Sequence, residues 1–253
     1  MLHFIFFLFT FPLTKAVNNT AKPNCPTQCG NITALYPFGI GTDCSLNDSF
    51  NLTCNTSSEP PTLLLGDSNI RVYNISELEV RISTIVSYSS YNQNGYVNGL
   101  SLSWTDIRWL EGITFSKKNM FTVIGSQCSG IGCCQISIPK GLQFYNSTLD
   151  SLNNHSDVWR FNECSYAFLV EEGSFEFGGV NDLSTKYLDF VDRIESAMPV
   201  VLDWVIAPNK TCTDEVHDCK GNSSCYDVEG GGYRCNCNKG YDGNPYLDQG
   251  CQG

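Results

Sequence analysis

Cys235-Asn-Cys237-Asn-Lys-Gly240-Tyr241-Asp-Gly243 lies near the end of a 253-residue chain and belongs to a cluster of six cysteines, Cys212, Cys219, Cys225, Cys235, Cys237 and Cys251. The intervals between them are 6, 5, 9, 1 and 13 residues. A segment this small cannot bury enough apolar surface to offset its chain entropy, so crosslinks must restrict its unfolded state, each contributing about 2–4 kcal/mol. Gly240 and Gly243 suit turns that need positive φ, and Tyr233 and Tyr241 supply most of the small core. Sequence alone leaves the cysteine pairing open. A zinc site built from Cys235, Cys237 and His217 is the rival reading, and the compartment argues against it.

The compartment is set by the other end. Phe4 to Leu13 form an apolar run long enough for the core of a secretory signal and too short to span a bilayer. Thr14-Lys15-Ala16 follows, and cleavage is expected after Ala16, giving a signal peptide over 1–16. All 14 cysteines remain after cleavage, an even number at a density that persists as disulfides in oxidising surroundings. Cys25, Cys29, Cys44, Cys54, Cys128, Cys133, Cys134 and Cys164 are therefore expected in disulfides too. Adjacent Cys133 and Cys134 would strain the intervening peptide if bonded to each other, so they are expected to staple two different strands. Ten Asn-x-Ser/Thr sequons, at Asn18, Asn31, Asn47, Asn51, Asn55, Asn74, Asn146, Asn154, Asn209 and Asn222, point to a heavily glycosylated surface.

Lys+Arg 15 against Asp+Glu 26 gives a net charge of -11, which repels a stripe of phosphates and excludes nucleic acid as a partner. Loss of Lys15 with the signal lowers this by one, to -12. Met198 to Ala207 is apolar but short and interrupted by Asp203, so it reads as a buried strand, and no transmembrane span is expected.

Cysteine spacing divides the mature chain into a larger part, 17–207, and a small module, 208–253. The larger part reads as mostly β and disulfide-rich. Ile70 and Val72, then Leu78, Val80 and Ile82, then Leu100, Leu102 and Trp104 recur at period two, with Asn94-Gly95 and Asn98-Gly99 as turn signals. Phe121 with Val123, Ile136 with Ile138, and Phe175 with Phe177 continue the alternation. Tyr187, Phe190, Val191 and Ile194 mark one helix within Leu183 to Met198, closed by Pro199.

The C-terminal cluster resembles an epidermal-growth-factor-like module. That resemblance implies the pairs Cys212 to Cys225, Cys219 to Cys235 and Cys237 to Cys251. Some such modules bind calcium through acidic residues before the first cysteine. Here that position reads Pro208-Asn-Lys-Thr211, with Asp214 and Glu215 only after Cys212, and Asp227 alone is half a constellation. Calcium needs six to eight oxygens, so no cofactor is expected.

The larger part resembles the extracellular galacturonan-binding domain of plant wall-associated receptor kinases. The motifs are Cys25-Pro-Thr-Gln-Cys29-Gly30, Tyr36-Pro-Phe38-Gly39-Ile40-Gly41, Cys44, Phe50-Asn-Leu52-Thr-Cys54, Leu63-Leu-Leu-Gly66, Ile70-Arg-Val72-Tyr-Asn-Ile75, Cys128-Ser-Gly-Ile-Gly-Cys133-Cys134-Gln135 and Glu163-Cys164-Ser-Tyr166. Pro199-Val-Val-Leu-Asp203-Trp204 and Gly243-Asn-Pro-Tyr-Leu247 extend the likeness to nearly the whole mature chain. Two departures stand out. Phe121-Thr-Val-Ile-Gly125 passes almost directly to Cys128, where that family is usually longer with further cysteines. No kinase follows, so the expectation is a receptor ectodomain, a truncated product or a secreted relative. The resemblance implies an extracellular or cell-wall location, at the plasma membrane within a longer receptor.

The same resemblance implies binding to pectin, a polymer of galacturonic acid. Yet Val17 to Ala207 carries 10 basic and 19 acidic residues, so capture must rely on a local patch. Arg71, Arg81, Arg108, Lys117 and Lys118 are the candidates for carboxylate recognition, with Trp104 and Trp109 as stacking surfaces. The bland alternative is scattered solvated charges and core tryptophans. Tyr36 and Phe38 are read as packing beneath Cys25 and Cys29, with an aromatic sugar platform as the other reading. Calcium bridging between acidic protein and acidic polymer is a further possibility. No motif for catalysis accompanies the abundant carboxylates, so the chain is read as a noncatalytic binder, the alternative being a protein- or peptide-binding ectodomain.

Overall fold

A computed structural model describes residues 20–101, 104–125, 132–149, 151, 153–184, 186–214 and 218–253, without the side chains of Ser101, Trp104 and Ser184. The signal peptide with its cleavage point after Ala16, the sequon at Asn18, Cys128 and His217 lie outside the described residues.

The protein is mostly β and braced by disulfides. In the six-cysteine segment, Cys212 bonds to Cys225, Cys219 to Cys235 and Cys237 to Cys251. A hairpin of Ser223–Asp227 and Tyr233–Cys237 carries three of these cysteines, and Gly240 and Gly243 take positive φ at 90° and 127°. Tyr233 is fully buried, but Tyr241 is 37% exposed; Tyr246 fills the core in its place. Its hydroxyl accepts from the Cys235 amide at 2.8 Å, so the buried oxygen is satisfied.

At the N-terminal end, Cys25 bonds to Cys44 and Cys29 to Cys54. These bridges brace a three-stranded sheet of Gly39–Ile40, Asn51–Asn55 and Thr62–Leu65. Tyr36 and Phe38 are buried beside it, which removes them as a sugar platform.

Two larger antiparallel sheets follow. One runs Ile113–Phe115, Pro199–Trp204, Glu79–Ser83, Val72–Ile75. Its central strand, Pro199–Trp204, is buried along most of its length, as the interrupted apolar run implies. The other runs Cys133–Ser137, Asn119–Ile124, Cys164–Glu171, Ser87–Tyr91, Val97–Ser101. The helix Tyr187–Ala197 buries Phe190, Val191 and Ile194, and ring contacts join Phe190 to Tyr166 and Phe168. Alternation misleads at two places. Asn98-Gly99 lies inside a strand while Asn94-Gly95 makes the turn, and Phe175 with Phe177 is outside any strand.

The first core gathers around Trp204, whose ring meets Phe38 and Phe50 edge-on at 5.9 Å. Tyr233, Cys235, Tyr246 and Leu247 of the six-cysteine segment belong to this same cluster. Ile206 and Tyr233 exchange backbone hydrogen bonds, so the segment is sewn to the chain just beyond the Pro199–Trp204 strand. No helix among the described residues is long and apolar enough to cross a membrane.

One expectation fails. Cys133 and Cys164 carry free thiols, while Cys134 is disulfide-bonded. The ladder explains why: Cys133 faces Ile124, and Ile124 faces Tyr166 on the next strand, two residues beyond Cys164. Two interstrand spacings and two residues of rise separate their Cα atoms by roughly 12 Å, well past the limit of about 7 Å for a disulfide.

Candidate functional site

The strand Trp104–Asp106 pairs with Phe144–Asn146, placing Asp106 opposite Phe144. A tight turn follows in which Ile107 and Leu110 are wholly buried and Arg108 and Trp109 are left outside. Apolar, basic, aromatic, apolar is the order that produces this result. Gln143 fastens the turn by donating from Nε2 to the carbonyls of Leu110 and Ile113, at 3.1 and 2.7 Å.

Asp106 organises both exposed side chains. Its carboxylate accepts from Arg108 Nε at 2.9 Å and Nη2 at 2.6 Å, and from the Arg108 amide at 3.0 Å. Its carbonyl accepts from Trp109 Nε1 at 3.1 Å. The guanidinium also lies over the Phe144 ring, with Cζ 4.7 Å from the centroid. Hydrogen bonds from Arg108 hold the Asp106 carboxyl down at about 2. Trp109 rests on Gly66, where an added Cβ would come within 3.2 Å of the ring and where φ is +58°. A side chain at that position would lift the indole from its seat. Trp109 is 50% exposed and Phe144 38%, so an aromatic and basic surface faces solvent in a fixed arrangement.

The other candidate cations are distributed elsewhere. Arg81 makes a fork with Glu171, at 2.9 and 2.6 Å, and lies 3.6 Å from Glu79, which Lys118 also binds. The hydrogen bonds to Glu171 raise the Arg81 pKa. These two cations are thus occupied by carboxylates of the protein itself. Lys117 and Arg71 are exposed and make no ion pair among the described residues. Arg71 lines a cleft of about 840 Å³ with Arg193 and the acidic Asp189, Asp192 and Glu195. Trp104 lies on the strand beside Asn146, and its side chain is outside the described residues. Asp106 and Phe144 were not among the sequence candidates: Asp106 is visible there only as an ordinary acidic residue, and Phe144 is far along the chain.

A second cleft, of about 650 Å³, lies between the two cysteine-rich ends and includes Tyr36, Trp204, Asn236, Tyr241 and Asn244. Its charged lining residues, Glu77 and Asp242, are both acidic.

Residues 25–87 match the wall-associated receptor kinase galacturonan-binding family. The chain is 36% identical to wall-associated receptor kinase 2 of Arabidopsis thaliana over 285 residues, which covers 98% of this chain and 37% of that protein. It is 36% identical to wall-associated receptor kinase 5 and 35% identical to wall-associated receptor kinase 3 of the same plant, each over 98% of this chain and 37% or 38% of the relative. No solved structure matches. The chain thus spans little more than a third of the length of these relatives, and it is similar to wall-associated receptor kinases along nearly its whole length, with residues 25–87 matching their galacturonan-binding family.

Proposed function

We propose that the protein is a noncatalytic, extracellular binder of acidic cell-wall polysaccharide, with pectin as the ligand class and Trp109 and Arg108 as the contact surface. The observation that carries this reading is the rigid pairing of a half-exposed indole with a guanidinium on one short turn. A sugar ring presents an apolar face that stacks on indole, and its carboxylate suits the planar donors that Asp106 leaves free on Arg108. The match of residues 25–87 to the galacturonan-binding family supports the ligand class. Overall charge of -11 opposes long-range capture, so affinity rests on these short-range contacts and improves with salt screening of the general repulsion.

The test is retention of the glycosylated protein on immobilised galacturonans of defined length and methylation. Trp109→Ala and Arg108→Ala are each expected to reduce retention about tenfold, a loss in the range of one stacking or charge-assisted contact. Lys117→Ala/Lys118→Ala is expected to leave it within about twofold, since Lys118 is already bound to Glu79 and Lys117 lies off this turn. Unchanged retention in both turn variants sinks this surface. Failure of the parent protein to bind favours a peptide-binding ectodomain, for which the acidic, aromatic cleft between the cysteine-rich ends is the site.

A further inference from the structure

We propose that an N-linked glycan on Asn146 packs the apolar face of its first sugar against the Phe144 ring, making this sequon a built structural site as well as an attachment point. Among the ten sequons, Asn146-Ser-Thr148 alone has an aromatic residue two positions before the asparagine. The strand Phe144–Asn146 turns that spacing into a shared face, since its residues run exposed, half-buried, exposed. Tyr145 points inward, where its ring meets Phe115 and Phe121. Phe144 and Asn146 are therefore neighbours on the outer surface, separated by about 7 Å of strand, a gap that a pyranose attached at Nδ2 bridges.

The recipient surface is already ordered. One side of the Phe144 ring carries the Arg108 guanidinium, which Asp106 holds in a two-point hydrogen bond. The ring is still 38% exposed, leaving apolar area for the sugar to cover. Ser147, the middle residue of the sequon, is buried, and its hydroxyl meets that of Ser87 at 2.7 Å. That contact fixes the backbone on which Asn146 stands. The Asn146 amide makes no hydrogen bond among the described residues, whereas Asn47 and Asn55 use Oδ1 to bind the amides of Ser49 and Ser57. A sugar at Asn146 thus displaces no side-chain hydrogen bond among the described residues, and ordering it costs little because its partner is held in place.

Site-resolved glycopeptide mass spectrometry of protein secreted from a eukaryotic host is expected to find Asn146 occupied. Phe144→Ala and Thr148→Val, the second abolishing the sequon without touching Phe144, are each expected to lower the Tm by about 2–4 °C, the shift that a contact in the aromatic-pair range produces in a chain this long. The double variant is expected to lose no more than the larger single loss, because both changes remove the same contact. Trimming the glycan enzymatically to one sugar is expected to leave the parent Tm unchanged. Should Phe144→Ala fail to fold, Phe144→Leu replaces it in the cycle, keeping bulk while removing the flat ring. A bare Asn146, additive Tm losses, or a Tm fall on trimming to the first sugar would each overturn the proposal. Galacturonan retention is not its readout, so it stands or falls apart from the ligand reading.

Discussion

Arg234 donates from Nε to the carbonyl of Trp204 at 2.6 Å and lays its guanidinium over the same residue's ring, with Cζ 5.2 Å from the centroid. Its Nη2 also donates to the Leu78 carbonyl at 2.9 Å, so one buried arginine of the six-cysteine segment holds the ends of two neighbouring strands of the four-stranded sheet. Arg234→Ala leaves two carbonyls without donors and opens a gap beside Trp204. The expected loss is about 2–3 kcal/mol, measured by urea unfolding with the disulfides intact. Arg234→Lys should recover little, since one ammonium cannot reproduce the fork and the stacked plane. Unaltered stability in Arg234→Ala means the two parts are held by the apolar cluster alone.

Asp106 competes with an acidic ligand for Arg108. Asp106→Asn keeps the shape of the turn while weakening its hold on the guanidinium, so retention on galacturonan should rise several-fold. The pH dependence has a definite sign. The folded carboxyl titrates at about 2, below its ordinary 3.8, so its stabilising contribution is present above 3.8 and lost as pH falls through about 2. Lowering the pH from 7 to about 4 therefore leaves the Asp106–Arg108 pair ionised, and a change of binding over that interval belongs to other groups. A retention profile for Asp106→Asn that overlays the parent at every pH would remove Asp106 from the site.

The free thiols make a chemical prediction. Cys164 is buried, and burial pushes its pKa from 9.0 up to about 12; Cys133 is half-buried and its pKa is raised by burial as well. Both stay protonated at neutral pH, and the thiolate is the nucleophile. Iodoacetamide added to native protein at pH 7 should leave Cys164 unmodified and label Cys133 slowly, whereas denaturation should open both. Above pH 9 the unfolded Cys164 ionises while the folded one does not, so stability contributed by this group declines as pH rises through that region. Peptide mapping that finds either cysteine oxidised to a partner would refute the assignment.

What could be read from sequence follows from the range of the forces involved. The six-cysteine segment was legible from its density of cysteines, and its pairs, which close loops of 13 to 16 residues, through the resemblance to a growth-factor-like module. Cys133 and Cys164 were not, because an even cysteine count says nothing of which strands lie between two thiols. The helix over Tyr187–Ala197 came through its apolar stripe, and Tyr246 was missed because Tyr241 sits closer to the tight Cys235–Cys237 pair. At the candidate site, Arg108 and Trp109 were visible as types. Their restraint by Asp106, and the approach of Phe144 across the strand pair, are tertiary facts that spacing along the chain does not encode.

Asn119 ties the two large sheets together, and its removal is the sharpest test of the β architecture. The residue is wholly buried at the start of strand Asn119–Ile124, yet its side chain serves the other sheet. Nδ2 donates to the Val201 carbonyl at 2.7 Å and to the Ser116 carbonyl at 2.8 Å, and Oδ1 accepts from the Val201 amide at 2.8 Å. The carboxamide thus pairs with Val201 as a peptide unit on a neighbouring strand would, extending the ladder past Phe115. Asn119→Ala leaves the buried Val201 amide without its acceptor, while the Val201 and Ser116 carbonyls keep the backbone amides of Ser116 and Asn119; one unsatisfied buried group costs about 1–3 kcal/mol. A loss of about 2 kcal/mol in urea unfolding is expected, with Asn119→Asp at least as damaging because it buries a charge against the Val201 and Ser116 carbonyls. Amide hydrogen exchange supplies the local readout: the Val201 amide should lose protection in Asn119→Ala before the amides of the Cys164–Glu171 strand do. Equal, simultaneous loss across both sheets would show that Asn119 supports the fold only globally, and not as the weld between these two strands.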